Sequence, residues 1–305
     1  MNKTRTKIMD LKTAVASHVT DGCTLSLGGA IAREPVAVAR EIVQQGKQDL
    51  TLTGTAKTTA GEILVGAGCI KRLELAYLWI GVIGQGRNFR RAMEEGIPRR
   101  PELEEYSMFS AALRVLAGSI GVPFLPVKSL MGSDLPKVND RIKRIEDPYS
   151  GEPIHVVPAV NPDVAFIHVQ RSDPSGNAVI LGNLWNDPTL ARAARKTIIT
   201  CEEIVEEKEI RKNPTMTAIP HYCVSGVVHL PYGAHPEPVD GYYWMDQPFR
   251  KAFADKSKTR EGFLAWLDEW VYGCPTHQIY MEKLGQKRFD SLCRLERRFR
   301  EGMDA

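Results

Sequence analysis

Short apolar runs alternate with amphipathic segments through the first half of the chain. The pattern predicts strands, in chain order, within DGCTLSLGGA, DLTLTGT, LELAYLWIGVIG and VPFLPV. It predicts helices, also in chain order, within LKTAVASHVT, REPVAVAREIVQQG, TTAGEILVGAG and PELEEYSMFSAALRVLAGSIG. Strands that alternate with helices are typical of βαβ units. The first half therefore predicts α/β architecture: a single open, mostly parallel sheet flanked by helices.

The middle of the chain is rich in strands, and the end is helical. From Gly151 the sequence GEPIHVVPAVNPDVAFIHVQRSDPSGNAVILG predicts strands with a turn at Asp173–Asn177. A helix in DPTLARAARK, strands in KTIITCEEI and YCVSGVVHLPYGAHP, and a helical tail from about Asp246 follow. No flexible linker interrupts this order, so we expect one domain over residues 1–305.

Composition narrows the class of protein. The chain has 305 residues and is 43% hydrophobic and 25% charged, so it can bury a substantial core. Its apolar runs are shorter than the roughly 18 residues of a membrane span, and its N-terminal stretch resembles no secretory signal. The six cysteines form no CxxC pair, which favours reduced thiols and a cytoplasmic location. A net charge of +3, with basic clusters interleaved by acids, does not indicate nucleic acid binding.

Several familiar chemical motifs are absent or incomplete. Gly84 and Gly86 begin a GxGxxG pattern, but Phe89 stands where the third glycine is needed, so we expect no dinucleotide site. The spacing of His221, Cys223, His229 and His235 matches no zinc pattern; packed histidines are the simpler interpretation, and we expect no metal.

Acidic residues follow a predicted strand in TCEEIVEEKEIRKN. Glu206, Glu207 and Glu209 alternate with basic residues at helical spacing, which is typical of a solvated helix face. Glu202 and Glu203, at the strand end, are of more interest as carboxylates, but the pattern does not identify either as a nucleophile.

The glycine pair Gly28-Gly29 is the strongest candidate for a binding site. Without side chains, the backbone can approach a ligand, and N–H groups at a strand end can hold an oxyanion. A tight turn between strand and helix explains the pair equally well.

The stretch around this pair, DGCTLSLGGAIAREP, resembles the glycine-loop signature of the A, or alpha, subunit of family I CoA-transferases of the glutaconate type. Further stretches in the same order support the resemblance: GVPFLPVKSLMGSDLP, PDVAFIHVQRSDPSGNAVILG, KTIITCEEIVEEKEIRKNPT, VVHLPYGAHP and DKSKTREGFLAWLDEWVYG. They cover nearly the whole chain, so the resemblance is far more specific than a lone glycine motif.

The resemblance implies a transferase with covalent intermediates. In this family a glutamate of the B, or beta, subunit, within a Ser-Glu-Asn-Gly motif, attacks an acyl-CoA. This chain contains no such motif, so the resemblance implies no catalytic nucleophile here and a B-subunit partner, in an α2β2 assembly. Its substrates would be a CoA thioester and a carboxylic acid, with no permanently bound cofactor.

The resemblance also implies a set of substrate-binding positions. They are Gly28, Gly29 and Ala30 in the glycine loop, Ile80, Gly81, Gly84 and Gln85 after the third strand, Ser107 and Met108 at a helix, and Gly132, Ser133 and Asp134 in a loop over the substrate. Gln85 and Ser133 are the most plausible polar contacts by residue type.

Three of these positions depart from the family. Ala30 stands where phenylalanine is usual, Met108 where many relatives have glutamine, and Ile80 where glutaconate enzymes have a small polar residue. The changes predict a roomier or more apolar pocket, and hence a bulkier or more hydrophobic acyl group than glutaconate. In the alternative, Met108 and Ile80 are core residues and the alignment register differs.

Two further functions remain open from the sequence. A related branch in steroid-ring degradation hydrolyses a carbon–carbon bond of a cyclic CoA thioester, and its alpha-type chain has glutamate at the position of Met108. The chain also fits a CoA-ester-binding protein without chemistry of its own.

Overall fold

A nine-stranded sheet lies at the centre of the computed structural model, which describes residues 6–303. The strands are β1 (Thr24–Leu27), β2 (Leu50–Thr53), β3 (Ala56–Lys57), β4 (Ile70–Leu75), β5 (Tyr77–Leu78), β6 (Glu102–Glu105), β7 (Phe124–Val127), β8 (Lys143–Glu146), β9 (Pro153–Pro158), β10 (Val164–Ser172), β11 (Ala178–Val179), β12 (Thr197–Ile204), β13 (Thr217–Ile219) and β14 (Gly226–His229). Residues 1–5 and 304–305 lie outside the described residues. Both ranges are part of the domain expected from the sequence, and residues 1–5 are part of the N-terminal stretch that was compared with a secretory signal.

Helices cover the sheet and form the C-terminal part of the chain. They are α1 (Leu11–His18), α2 (Val36–Gln44), α3 (Thr59–Ala67), α4 (Arg87–Glu95), α5 (Met108–Ile120), α6 (Leu135–Val138), α7 (Asp187–Ala193), α8 (Glu207–Arg211), α9 (Gln247–Lys256), α10 (Arg260–Leu267), α11 (His277–Leu284) and α12 (Gln286–Met303). Within residues 6–303, none of the helices has the length and apolar character needed to cross a membrane.

Parallel pairing builds the body of the central sheet. The strand order β6–β4–β2–β1–β10–β12–β14 is parallel throughout. Strands β11 and β13 add antiparallel pairs beside the carboxyl end of β10. Strands such as β10 are buried along nearly their whole length, as expected for a sheet with helices on both faces. The prediction of an open, mostly parallel α/β sheet flanked by helices is confirmed.

Because β10 is longer than β1, the middle of one edge of β10 has no strand paired with it. Strand β1 pairs with Val164–Phe166, whereas β11 pairs with Arg171 and Ser172; β12 occupies the other side of β10. After Leu27 the chain leaves the sheet between these two pairings. Open α/β sheets bind ligands outside the carboxyl ends of their strands. The glycine pair therefore lies at the edge where a site is expected.

Two elements of the first half differ from the sequence prediction. The sequence predicts one helix from Pro101 to Gly121, but the first part of this segment is the strand β6, which pairs with β4. Arg72 of β4 forms ion pairs with Glu102 and Glu104 of β6. The strand in VPFLPV, expected as the fourth of the parallel series, is β7 of a separate antiparallel sheet with the order β7–β9–β8. In the first case tertiary pairing has overridden local propensity. In the second case the strand forms as predicted but pairs in a different sheet.

The third predicted strand is also divided. Strand β4 ends at Leu75, and β5 pairs with β3 in a small two-stranded sheet. A turn of 3-10 helix at Gly81–Ile83 follows. This division turns the chain out of the central sheet before the predicted Ile80–Gln85 positions.

The predicted helical tail is confirmed and belongs to the main core. Asp246 caps α9, accepting a hydrogen bond from the backbone N–H of Phe249 at 3.0 Å. Phe253, Phe263 and Trp266 pack in the same hydrophobic cluster as β1 and α2. The tail thus covers apolar surface that the sheet and its first helices would otherwise expose to water.

Candidate functional site

The glycine loop, residues 28–30, is a buried tight turn. Gly29 has φ of +63°, and a Cβ atom there would overlap the carbonyl oxygen of Ala32. The backbone N–H groups of Gly28, Gly29 and Ala30 donate to Phe166 O at 2.7 Å, Asp187 Oδ1 at 2.8 Å and Ala32 O at 3.2 Å. Each of these three amides therefore already has an acceptor within the described part of the protein.

An ion pair between Arg33 and Asp187 fixes this loop. The Arg33 Nη1 atom lies 2.7 Å from Asp187 Oδ2, and the two side chains are 0% and 2% exposed. Arg33 also donates to the carbonyl oxygens of His168 and Asn183, at 2.9 and 2.6 Å. Its φ of +59° is rare for a residue other than glycine, and such strain persists only where the surroundings enforce it.

Lys57 brings a buried ammonium group to the same loop. Its Nζ atom donates to the carbonyl oxygen of Gly29 at 3.3 Å, and the residue is 1% exposed. Burial lowers the pKa of Lys57, and the charges of Glu34 and Asp187 oppose that shift. Lys57, Gly29, Asn186 and Asp187 together line a small cavity at the carboxyl edge of the sheet.

Two further carboxyl groups reach the region through Thr58 and Thr59. Glu34 accepts from the Thr58 N–H at 2.9 Å, from its hydroxyl at 2.6 Å and from the Ala60 N–H at 3.0 Å. Glu237 accepts from the Thr59 hydroxyl and lies 3.2 Å from Arg250 Nε. Burial raises the pKa of Glu237 to about 7, against the opposing charge of Arg250. Both carboxylates are fully buried.

The predicted positions after the third strand divide into buried and exposed members. Ile80 is 0% exposed and packs in the main core, so its side chain supports the loop without presenting apolar surface. Gly81 has φ of +55° and lies against the Arg250 guanidinium. Gly84 is half-buried, and the exposed Gln85 accepts from Arg90 Nη1 at 3.1 Å, in a separate cleft beside α9.

A carboxylate of the protein fills the place where a dinucleotide phosphate would bind. Glu62 accepts hydrogen bonds from the backbone N–H groups of Asn88 and Phe89, both at 2.9 Å, at the start of α4. A Cβ atom on Gly86 would overlap this carboxylate. The two amides at the start of this helix, where a Rossmann site would hold phosphate, therefore already have an acceptor within the protein.

Ser107 and Met108 lie where β6 leads into α5. The Ser107 hydroxyl accepts from the Ser110 N–H at 3.1 Å and so caps the helix. Met108, the first residue of α5, is 46% exposed. Since β6 runs parallel to β4, these residues lie at the same edge of the sheet as the glycine loop.

The loop of Gly132, Ser133 and Asp134 lies between β7 and α6, in the connection between two strands of the small antiparallel sheet. Ser133 bonds back to the carbonyl oxygen of Leu130, and Asp134 forms an exposed ion pair with Lys137 at 2.6 Å. Within residues 6–303, no hydrogen bond or ion pair joins this loop to the glycine loop.

The other candidate acids and histidines serve structural contacts. Glu202 is buried and lies 2.7 Å from His168 Nε2, while Glu203 forms an exposed ion pair with Arg171. The residues around α8 form exposed ion pairs, as predicted for a solvated helix face. The described part of the chain holds no cluster of three or more His, Cys, Asp or Glu residues arranged to bind a metal.

The structure therefore brings the glycine loop together with side chains that the sequence did not single out: Arg33, Lys57 and Asp187. These residues are separated by tens to more than a hundred positions in the chain, and a lone lysine or aspartate carries no recognisable signal. Only the positive φ of Arg33 marks it as unusual, and this is visible in the structure alone.

Comparisons with known proteins agree with this architecture. The family model "Coenzyme A transferase" matches residues 8–230. The chain is 36% identical to the A subunit of 3-oxoadipate CoA-transferase from Pseudomonas knackmussii, covering 92% of this chain and 99% of that protein. It is 39% identical to the A subunit of glutaconate CoA-transferase from Acidaminococcus fermentans, covering 94% of each. The crystal structure of the Acidaminococcus fermentans enzyme matches with a TM-score of 0.89 and 38% identity, over 94% of this chain and 95% of that one.

A more distant relative has a different activity. The IpdA subunit of a cholesterol ring-cleaving hydrolase of Rhodococcus jostii is 26% identical, covering 93% of this chain and 98% of that protein. The family model spans most of the chain, and the relatives of highest identity reported above are transferase A subunits that match along nearly their whole length. This chain belongs to the coenzyme A transferase family.

Proposed function

We propose that this chain is the A subunit of an acyl-CoA:carboxylate CoA-transferase that works with a separate B subunit, in an α2β2 assembly in the cytoplasm. Its substrates are an acyl-CoA thioester and a free carboxylic acid, and it needs no permanently bound cofactor. The named relatives support this assignment, since they are A subunits of such transferases.

The proposal rests on one observation: the carboxylates beside the glycine loop are buried and already bound by donors of the protein. Asp187, Glu34 and Glu237 are each at most 2% exposed, and protein donors already bind them. A nucleophile must be able to reach the thioester carbonyl. The attacking glutamate therefore comes from the B subunit, in accord with the lack of a Ser-Glu-Asn-Gly motif in this chain.

The proposed reaction has two exchanges. An oxygen of the partner's glutamate forms a bond to the thioester carbonyl carbon, and CoA leaves as the thiolate, which gives an anhydride. The thiolate then attacks the glutamyl carbonyl, so that the first acid leaves as a carboxylate and a glutamyl thioester of CoA remains. A second acid reverses both steps and departs as the new acyl-CoA.

The outer face of α5 offers a surface for the B subunit. Phe109, Leu116 and Ile120 are 58%, 38% and 58% exposed, and the helix's one charged residue, Arg114, is buried against Glu74. An apolar outer helix face is typical of an interaction surface. It is continuous with Met108 at the sheet edge, so a partner seated there would reach the candidate site.

Met108 is the position that we propose to set acyl-group preference. Of the three departures from the family pattern, Ala30 and Ile80 are buried, at 1% and 0% exposure, whereas Met108 exposes apolar surface at the edge of the site. A thioether side chain favours apolar contacts and donates no hydrogen bond. We therefore expect a bulkier or more hydrophobic acyl group than glutaconate.

Trapping of the covalent intermediate tests the proposal. The chain is co-expressed with its B subunit, incubated with acyl-CoA and treated with borohydride, which reduces a glutamyl thioester to an alcohol. Intact mass spectrometry should then show a small mass loss on the B subunit alone. A loss on this chain would overturn the proposal that the nucleophile is in the partner.

Ring-opening hydrolysis is the second candidate, because the IpdA-type relative covers almost the whole chain. That branch has a glutamate where this chain has Met108, and methionine cannot act as an acid or base. No mass change on either subunit, together with a ring-opened product from a cyclic CoA thioester, would favour hydrolysis. Binding of CoA esters without turnover would favour a binding protein without chemistry.

A further inference from the structure

The donors that remain free beside the glycine loop are side chains. The three loop amides donate to Phe166, Asp187 and Ala32, and so are unavailable to a substrate. A substrate anion at this edge of the sheet therefore needs donors from other residues, and two of them line the adjoining cavity: Lys57 and Asn186.

Lys57 has an ammonium group that the protein leaves largely unused. It carries three N–H donors, and its only hydrogen bond among the described residues is the 3.3 Å contact to Gly29 O. No carboxylate of residues 6–303 forms an ion pair with it: Asp187 is paired with Arg33, and Glu34 is bound by Thr58 and Ala60. Buried charges are normally paired, so this arrangement points to an anion supplied from outside the chain.

Asn186 contributes a second unused donor. Its Nδ2 atom is buried and has no hydrogen-bond partner among the described residues. Although Asn186 is the N-cap residue of α7, its side chain makes no capping hydrogen bond. The preceding residue, Trp185, has φ of +48°, which is rare for a residue other than glycine. The nearby Asn183 carbonyl accepts a hydrogen bond from Arg33.

The cavity that these two residues line is small. The cavity that Lys57, Asn186, Gly29 and Gly54 line has about 20 Å³ available to a water-sized group, which is enough for one oxygen atom. Gly54 keeps this space open, since a Cβ atom there would lie 3.3 Å from Lys57 Cε. A single oxygen that carries negative charge fits this volume and is a strong acceptor for N–H donors.

We infer that Lys57 and Asn186 form a receptor for one negatively charged oxygen of the substrate. This inference rests on the proposed function and adds to it a defined ligand chemistry. Two sources present such an oxygen: the carboxylate of the acid, and the oxyanion that forms when the thioester carbonyl is attacked. The receptor lies in this chain, whereas the attacking glutamate belongs to the partner.

Lys57→Met and Asn186→Ala test the receptor in the two-subunit enzyme, with Lys12→Met, at an exposed lysine, as the matched control. Methionine fills much of the lysine volume and removes an unpaired buried charge, so Lys57→Met should melt at the same temperature or higher. A lysine with a purely structural role would instead lower the melting temperature. CoA exchange should fall at least 100-fold in kcat/KM for Lys57→Met and at least tenfold for Asn186→Ala.

Acetate serves as a minimal carboxylate probe. Its binding distinguishes a receptor for the acid's carboxylate from a receptor for the oxyanion, and it tests the receptor independently of the proposed transferase activity. Weaker acetate binding by calorimetry with a raised KM for the acid identifies the carboxylate. Unchanged acetate binding with a lowered kcat identifies the oxyanion. If CoA exchange occurs but neither quantity changes in Lys57→Met, the receptor is refuted while the transferase stands. If the wild type shows no CoA exchange, the proposed function fails and acetate binding alone tests the receptor. Equal acetate binding by the wild type and Lys57→Met then refutes the receptor.

Discussion

Asp187 holds two partners at once: its Oδ1 atom accepts the Gly29 N–H at 2.8 Å, and its Oδ2 atom pairs with Arg33 at 2.7 Å. One carboxylate thereby connects the start of α7 with both sides of the glycine loop. Because Gly29 and Arg33 both have positive φ angles, the turn depends on this anchor to hold its conformation.

Asp187→Asn should destabilise the chain strongly. The amide keeps the shape of the carboxylate but leaves the Arg33 charge buried without a counterion, which costs about 3–5 kcal/mol in the free energy of unfolding. Chemical denaturation measures this loss. Asp134→Asn is the control: its ion pair with Lys137 is exposed, so a change within about 0.5 kcal/mol is expected. Equal effects of the two substitutions would contradict the anchoring role.

Gly29→Ala and Gly22→Ala separate backbone strain from steric overlap. Both glycines have positive φ, at +63° and +79°, but a Cβ atom on Gly22 has no neighbour within 4 Å. Gly22→Ala should cost about 1–2 kcal/mol of stability through strain alone. Gly29→Ala should cost about 1–3 kcal/mol more, since the loop must move away from Ala32. Thermal unfolding of the two variants checks the difference, and an equal loss would show that the loop tolerates the methyl group.

His277 should make the folded state sensitive to acid. Its Nδ1 atom lies 3.1 Å from Arg40 Nη2, and its Nε2 atom lies 2.7 Å from Pro231 O, an arrangement that holds the neutral ring. Burial, with the charge of Arg40, lowers the pKa of His277 from 6.5 to about 3.

The sign of this effect follows from proton binding. Between pH 6.5 and about pH 3 the unfolded chain binds a proton at this position and the folded chain does not. The contribution of the neutral His277 to the free energy of unfolding is therefore fully present above pH 6.5 and decreases as the pH falls below it. The slope is at most about 1.4 kcal/mol per pH unit. His277→Gln should flatten this decline in urea titrations at several pH values, whereas His221→Gln, at an exposed residue, should leave it unchanged.

Phe109→Glu and Leu116→Glu should weaken binding of the B subunit while leaving the isolated chain folded. Both side chains are on the outer face of α5, where a charge is compatible with water but not with an apolar interface. Co-purification and light scattering measure the assembly, and circular dichroism checks the fold. Tyr149→Glu is the control, because Tyr149 is 98% exposed in the turn between β8 and β9. Intact assembly in both α5 variants would place the partner elsewhere.

Much of the fold could be predicted from the sequence because its strong signals are local. The runs TLSL and LTLT are short and alternate leucine with serine or threonine, which is typical of strands, and their alternation with helices favours parallel pairing. The segment ELEE could not be predicted as a strand: glutamate and leucine favour helices, and the strand exists because β4 supplies backbone partners and Arg72 supplies countercharges.

The candidate site was predictable only in part. Gly28 and Gly29 stand out in the sequence, yet the acceptors that occupy their amides come from Phe166 and Asp187, more than a hundred residues away. Lys57 resembles any surface lysine until the pairing of β3 with β5 buries it. Whether an N–H donor is free to bind a ligand depends on the tertiary structure. The sequence pattern identifies only the glycine loop itself.

Glu62 bears on how this fold can evolve. The start of α4 follows a loop of glycines, and only one glycine is missing from a nucleotide signature. Replacing Phe89 by glycine would nevertheless not open the site to phosphate, because the Glu62 carboxylate would still occupy the Asn88 and Phe89 amides. A lineage that acquired nucleotide binding at this helix would first have to lose the Glu62 carboxyl group from these amides.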